Sequence, residues 1–284
     1  MNLDEAKEKI YNSTIVKYVS KERIEEAFKR IYVYDNEEDF FKAYGRPKES
    51  NDYLEGFNRA NGSYIGPKAT AHTIIHEVLH YISSEFDNDG HRTQNGLMGD
   101  AEYGNFANQV NEAVTDFLAC KISGEKPRHY IEGNKIFECI DPIMQRFYND
   151  EDILFKLYLD NNDFEFKRFL DLTLEKNGGS KDFYENFLFY SDDKINKMQK
   201  EMNKSVKKEN SSIHKFVKKI KGFFLKKDMK YLNSGNLQPN MEEDSHKKFL
   251  KEYNVSGLDG NSYQRTGENT VRSYKREDRN DKTL

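Results

Sequence analysis

Apolar residues recur at near-helical spacing among charges over the first 30 positions, so the chain is expected to open with helices. "RIYVY" (30–34) then reads as a short strand. "DYLEGFNRANGSYIG" (52–66) sets aromatic and branched residues on either side of Asn61-Gly62, which predicts a β-hairpin turning at that pair. After "GPKAT", Thr70 is a good N-cap for a helix from about Ala71, with Ile75, Val78, Leu79 and Ile82 on one side. Residues 87 to about 104 are polar and glycine-bearing, and are expected to form a loop. A second helix is expected from about Asn105 to Ser123, with Phe106, Val110, Ala113, Val114 and Phe117 as its stripe and Gly124 and Pro127 as its stop. From 129 to 190 the pattern is helical with short breaks, and Pro142 is suited to a helix start. After Asp193 apolar residues become sparse, apart from a periodic island at Ile213–Leu225. The pattern divides the chain into a folded domain, 1–190, and a low-hydrophobicity tail, 191–284, expected to be partly disordered.

Charge sharpens that division. Residues 194–230 hold 13 lysines against Glu201, Glu209 and Asp228, whereas residues 1–193 carry a net of −14. The N-terminus has charges from the start and no apolar run, unlike an ordinary signal peptide, and no stretch approaches 18 consecutive apolar residues. Cys120 and Cys139 are too few for a secreted disulfide framework. The expected location is cytoplasmic, with peripheral membrane association or export without a cleaved signal left open.

Three of the seven histidines fall within "TAHTIIHEVLHYI" (70–82). His76 and His80 lie four apart, on one helix face, and "HEVLH" fits H-E-x-x-H. Two imidazoles one turn apart can reach one zinc ion, and Glu77 between them can act on a water held there. A catalytic zinc needs a third protein ligand; His72, His91 and a carboxylate elsewhere are the candidates. A row His72–His76–His80 fails, because eight residues separate its ends by roughly 12 Å along the axis. "NQVNEAVTDFLACK" offers a better one. Glu112 and Asp116 share a helix face, so Glu112 can reach the metal while Asp116 accepts the second ring N–H of a liganding histidine.

"HEVLH" followed by "NEAVTD" resembles the gluzincin metallopeptidases, of which thermolysin is the familiar member and which carry H-E-x-x-H and then N-E-x-x-[ST]-D on a second helix. The gap from His80 to Glu112 is longer than in thermolysin; the lethal-factor-like metalloproteases of Gram-positive bacteria form one branch with a longer gap. The resemblance implies His76, His80 and Glu112 as zinc ligands, Glu77 as general base and Asp116 as the orienter of His76. It also implies an α+β fold, with a small twisted sheet before the active-site helix and a helical lobe after it. Gluzincins hold the oxyanion with a tyrosine or histidine near the metal. Tyr103, upstream of Glu112, is the candidate for that role, with His129, Tyr81 and His91 as competitors.

The expected function is zinc-dependent endopeptidase action on a protein or peptide substrate, which could pair with the hairpin strand before the active-site helix. The rival is a zinc-bearing interaction protein without turnover, tethered to a membrane or partner by its tail. In the tail, Ile213, Phe216, Val217, Ile220, Phe223 and Phe224 recur at helical spacing with lysines on the other face. An amphipathic helix over 213–227 is therefore expected, lying on an anionic membrane surface or on the protein's own acidic body. No specific nucleic-acid partner is expected, since lysine heavily outnumbers arginine there and no nucleic-acid fold accompanies the segment.

Overall fold

The computed structural model describes residues 3–48, 53–98 and 104–224. The chain divides into two units, residues 1–218 and 219–284. Beyond the helical backbone that ends at Phe224, the second lies outside the described residues. So do Tyr103, the end of the expected 213–227 helix and the side chains that would make its two faces.

The first unit is α+β. Helices α1 (Leu3–Tyr11) and α2 (Lys21–Lys29) lead into strand β1 (Ile31–Val33). Helix α3 (Glu37–Tyr44) follows, capped by Asn36 and ended by Gly45 in the left-handed region. Strands β2 (Gly56–Arg59) and β3 (Gly62–Ile65) pair antiparallel, and β1 joins β3 in parallel, so the open sheet runs β1-β3-β2 with β2 at an edge. The register pairs Arg59 with Gly62, so the turn is Ala60-Asn61, one residue earlier than the Asn-Gly pair suggests. Gly62 belongs to the strand, where a Cβ would collide with the carbonyl of Arg30.

Helix α4 (Ala71–Ile82) starts at Thr70, whose side chain accepts from the Thr73 N–H while the Thr73 hydroxyl accepts from the Thr70 N–H. Every residue of α4 is buried. It packs on α1 and α2, on β2 and β3, and on α5 (Gly104–Ser123). It is therefore a central helix, and its polar residues must find partners inside the protein. Strands β4 (Ser84–Phe86) and β5 (Arg92–Asn95) form a hairpin whose turn and second strand fall in the stretch expected to be a loop. Its second strand, Arg-Thr-Gln-Asn, has no apolar alternation to announce it.

The helical lobe comprises α6 (Ile131–Tyr148), α7 (Ile153–Leu159), α8 (Asp163–Thr173) and α9 (Gly179–Asn186), followed by α10 (Asp192–Phe224). Pro142 lies inside α6 rather than at a helix start. Its missing N–H removes one helix bond, but Ile136, Phe137, Ile140, Ile143 and Met144 are buried on both sides of it, and that burial carries the helix through. In α10, Ile195, Met198, Met202 and Val206 make a buried stripe, so the packed core continues past residue 190. Among the described residues no helix is long and apolar enough to cross a membrane.

Candidate metal centre

On α4, His76 and His80 sit one turn apart with their rings edge to face, centroids 4.8 Å apart. Glu112, on α5, faces both. His76 Nε2 and His80 Nε2 are 3.1 Å apart, and Glu112 Oε2 lies 3.3 Å from the first and 3.4 Å from the second. Three donor atoms thus form a nearly equilateral triangle, a group able to hold a metal ion.

Each ring has a partner behind it. Asp116, one turn along α5 from Glu112, places Oδ1 3.6 Å from His76 Nδ1. Asn95, at the end of β5, places Oδ1 3.5 Å from His80 Nδ1. Both Nδ1 atoms are thereby turned away from the triangle, and both Nε2 atoms point into it. The rest of the second motif is also engaged: Asn111 Oδ1 accepts from the Leu97 N–H at 2.9 Å, and the Thr115 hydroxyl meets Tyr158 Oη at 2.9 Å.

His72 is buried, 3 % exposed, and borders the same cavity as the triangle without belonging to it. Its Nε2 donates to Asp116 Oδ1 at 2.8 Å and its Nδ1 faces Ser123 Oγ at 3.3 Å. His72, Asp116 and Cys120 are close enough to be a second ligand group. Hydrogen bonds already occupy His72 and Asp116, and burial pushes the Cys120 thiol up to about 12, away from the thiolate form that binds metals. Asp87, Asp89 and His91 also lie together, in the exposed turn of the β4–β5 hairpin.

The charge balance suits a cation. Burial works against a charged His76 ring, but the carboxylates of Asp116 and Glu112 outweigh it and raise its pKa to about 10. Burial likewise opposes ionisation of Glu112, yet His80 and His76 hold its carboxyl well below the usual range. Glu77 differs: burial raises its pKa, and its Oε2 is buried with no hydrogen-bond partner among the described residues. The main chain around it is firmly held, since the Glu77 carbonyl accepts from Asn58 Nδ2 at 3.2 Å and from Ser63 Oγ at 3.3 Å.

These groups face a cavity of about 930 Å³. Edge strand β2 forms one lip. There a Cβ on Gly56 would come within 3.1 Å of Glu77 Cγ, so only glycine lets the strand approach this closely without displacing a neighbour. The turn before α6 forms part of the other lip and carries Tyr130, which the sequence reading passed over. The Tyr130 ring is stacked on His76, with centroids 6.1 Å apart and planes 5° apart, and its hydroxyl donates to Glu112 Oε2 at 3.3 Å. Its only sequence signal is its place at the start of the helix following the Glu112 helix, and no fixed spacing marks such a residue. Arg128 and Glu55 join the two lips at 3.0 Å, and His129 Nε2 lies 3.9 Å from Glu55. Of the other competitors for the oxyanion role, Tyr81 donates to Glu26, and His91 is 78 % exposed in the hairpin turn. Neither lines this cavity.

Compared with protein-family models, curated proteins and solved structures, the chain matches none. What stands on geometry alone is an α+β fold with a buried histidine–carboxylate group able to hold a metal ion.

Proposed function

We propose that the chain is a zinc-dependent endopeptidase of gluzincin type, with His76, His80 and Glu112 as ligands and Glu77 as general base. The triangle carries this reading. Zinc bonds to nitrogen and oxygen are about 2.0–2.2 Å, so tetrahedral ligands lie roughly 3.3–3.5 Å apart. The three separations here, 3.1, 3.3 and 3.4 Å, are close to that spacing. A purely structural site closes its fourth position with another protein ligand. Here the neighbouring acid is Glu77, whose unpartnered Oε2 suits it to a water.

Zinc bound there would acidify a water and polarise a carbonyl. Glu77 takes the proton of the attacking water and delivers it to the leaving amine. Burial raises its carboxyl's pKa, which favours holding the proton between those two events. The Tyr130 hydroxyl, already at the site, donates to the oxyanion in place of Glu112. An extended substrate pairs with the free edge of β2, which brings its backbone past Glu77.

The test is a peptide-library digest read by mass spectrometry, with wild-type and Glu77→Gln proteins loaded with zinc. Cleavage by the wild type and at least a roughly hundredfold loss in Glu77→Gln, with zinc retained, are expected. Retained zinc with no cleavage by the wild type would instead favour the zinc-bearing interaction protein.

A further inference from the structure

We propose that Asn134, on a helix that supplies no ligand, is a positioning residue for the metal centre; this rests on the zinc reading above. Asn134 is 2 % exposed, and its side-chain nitrogen serves both sides of the site. It donates to Asp116 Oδ2 at 2.6 Å and to the Tyr130 carbonyl at 3.0 Å, and the Asn134 backbone N–H reaches that same carbonyl at 2.8 Å. Asp116 stands behind His76, and Tyr130 reaches Glu112. The contacts close a circuit: Asp116, Asn134, Tyr130, Glu112, His76 and back to Asp116.

Two further features point to placement rather than packing. With His72 on Oδ1 and Asn134 on Oδ2, the Asp116 carboxylate is held at both oxygens, so its direction toward His76 is set. Tyr130 stands at the N-cap of α6 with no side-chain cap bond, so Asn134 bonding back to its carbonyl ties that turn to the helix. Asparagine is a weak helix former, and an apolar residue would pack here without needing partners. Its value lies in two N–H groups aimed at two different acceptors.

The test measures zinc affinity of the full chain by competition with a chromophoric chelator, with thermal unfolding of each metal-free protein as a fold control. Asn134→Ala should bind one zinc roughly 10- to 100-fold more weakly than wild type. Combining it with Tyr130→Phe should weaken binding by less than the product of the two single effects, because the first change already frees Tyr130. Cobalt-loaded Asn134→Ala should also show a shifted visible absorption spectrum, which looser packing elsewhere would leave unmoved. Asn134→Ser keeps one donor, should fall between, and carries the test if the alanine variant does not fold. A folded variant with affinity within about twofold of wild type, or single effects that multiply in the double variant, overturns the proposal alone. Wild-type protein that takes up no zinc overturns the zinc reading and this proposal with it.

Discussion

His76 and His80 could be placed on one face from their spacing alone, because a helix turns about 100° per residue whatever surrounds it. Glu112 and Asp116 were legible by the same rule. Tyr130 was not. It reaches the site because α6 packs against α5, and no local pattern encodes the distance between two helices. The burial of His72 was not legible for a related reason. A polar residue at the start of a helix is ordinarily near solvent, but α4 is buried all round, so His72 is enclosed and bonded to Asp116. The Tyr130 hydroxyl gives a prediction at this scale. Tyr130→Phe keeps the ring on His76 and removes only the donor. With zinc supplied in excess to keep the site filled, steady-state kinetics on a cleaved peptide should show kcat lower by roughly 10²–10³-fold, with KM near wild type. Unchanged kcat would move the oxyanion role elsewhere.

Helices with caps and apolar stripes were legible as elements; strands without alternation were not. Thr70 and Gly124 bracket the stretch from α4 to α5 as expected, and Gly124 does take the left-handed conformation that ends a helix. The β4–β5 hairpin stayed hidden because β5 is polar, and it is polar because it borders the cavity, where Asn95 holds His80. Pro142 misled because the burial that overrides a proline is set by the whole lobe. Gly133 shows how the lobe places the site. A Cβ there would come within 2.5 Å of the Ala113 Cβ, so glycine lets α6 come close beside α5, next to Glu112. Gly133→Val should push the helices apart. Urea unfolding should show a loss of about 1–3 kcal/mol, as overpacking of a close contact requires. Zinc affinity should fall with it, since Asn134 moves with α6. A variant of wild-type stability would mean that the two helices adjust freely.

On the scale of the whole molecule, the proposed peptidase and the proposed membrane contact belong to different parts of the chain. The 213–227 stretch places Lys215, Lys218, Lys219, Lys221, Lys226 and Lys227 among apolar residues at helical spacing. On an anionic bilayer each lysine adds roughly 1 kcal/mol of attraction. The buried stripe of α10 runs to Val206, so a chain ending at Ser212 keeps that stripe and lacks residues 213–284, the basic apolar stretch together with the charge-neutral residues after it. Co-sedimentation with anionic vesicles at low salt should pellet the full chain and leave the Ser212 chain in solution, an effect that fades with added salt. Equal behaviour of the two would assign the segment to the protein itself. The claim on which the rest depends is the zinc centre, and elemental analysis of purified, zinc-loaded and dialysed protein tests it most directly. Wild type and His91→Ala, altered at an exposed residue outside the cavity, should each hold about one zinc per chain, whereas His76→Ala, His80→Ala and Glu112→Ala should each hold much less. Wild-type protein without zinc, or full zinc in Glu112→Ala, would contradict the account.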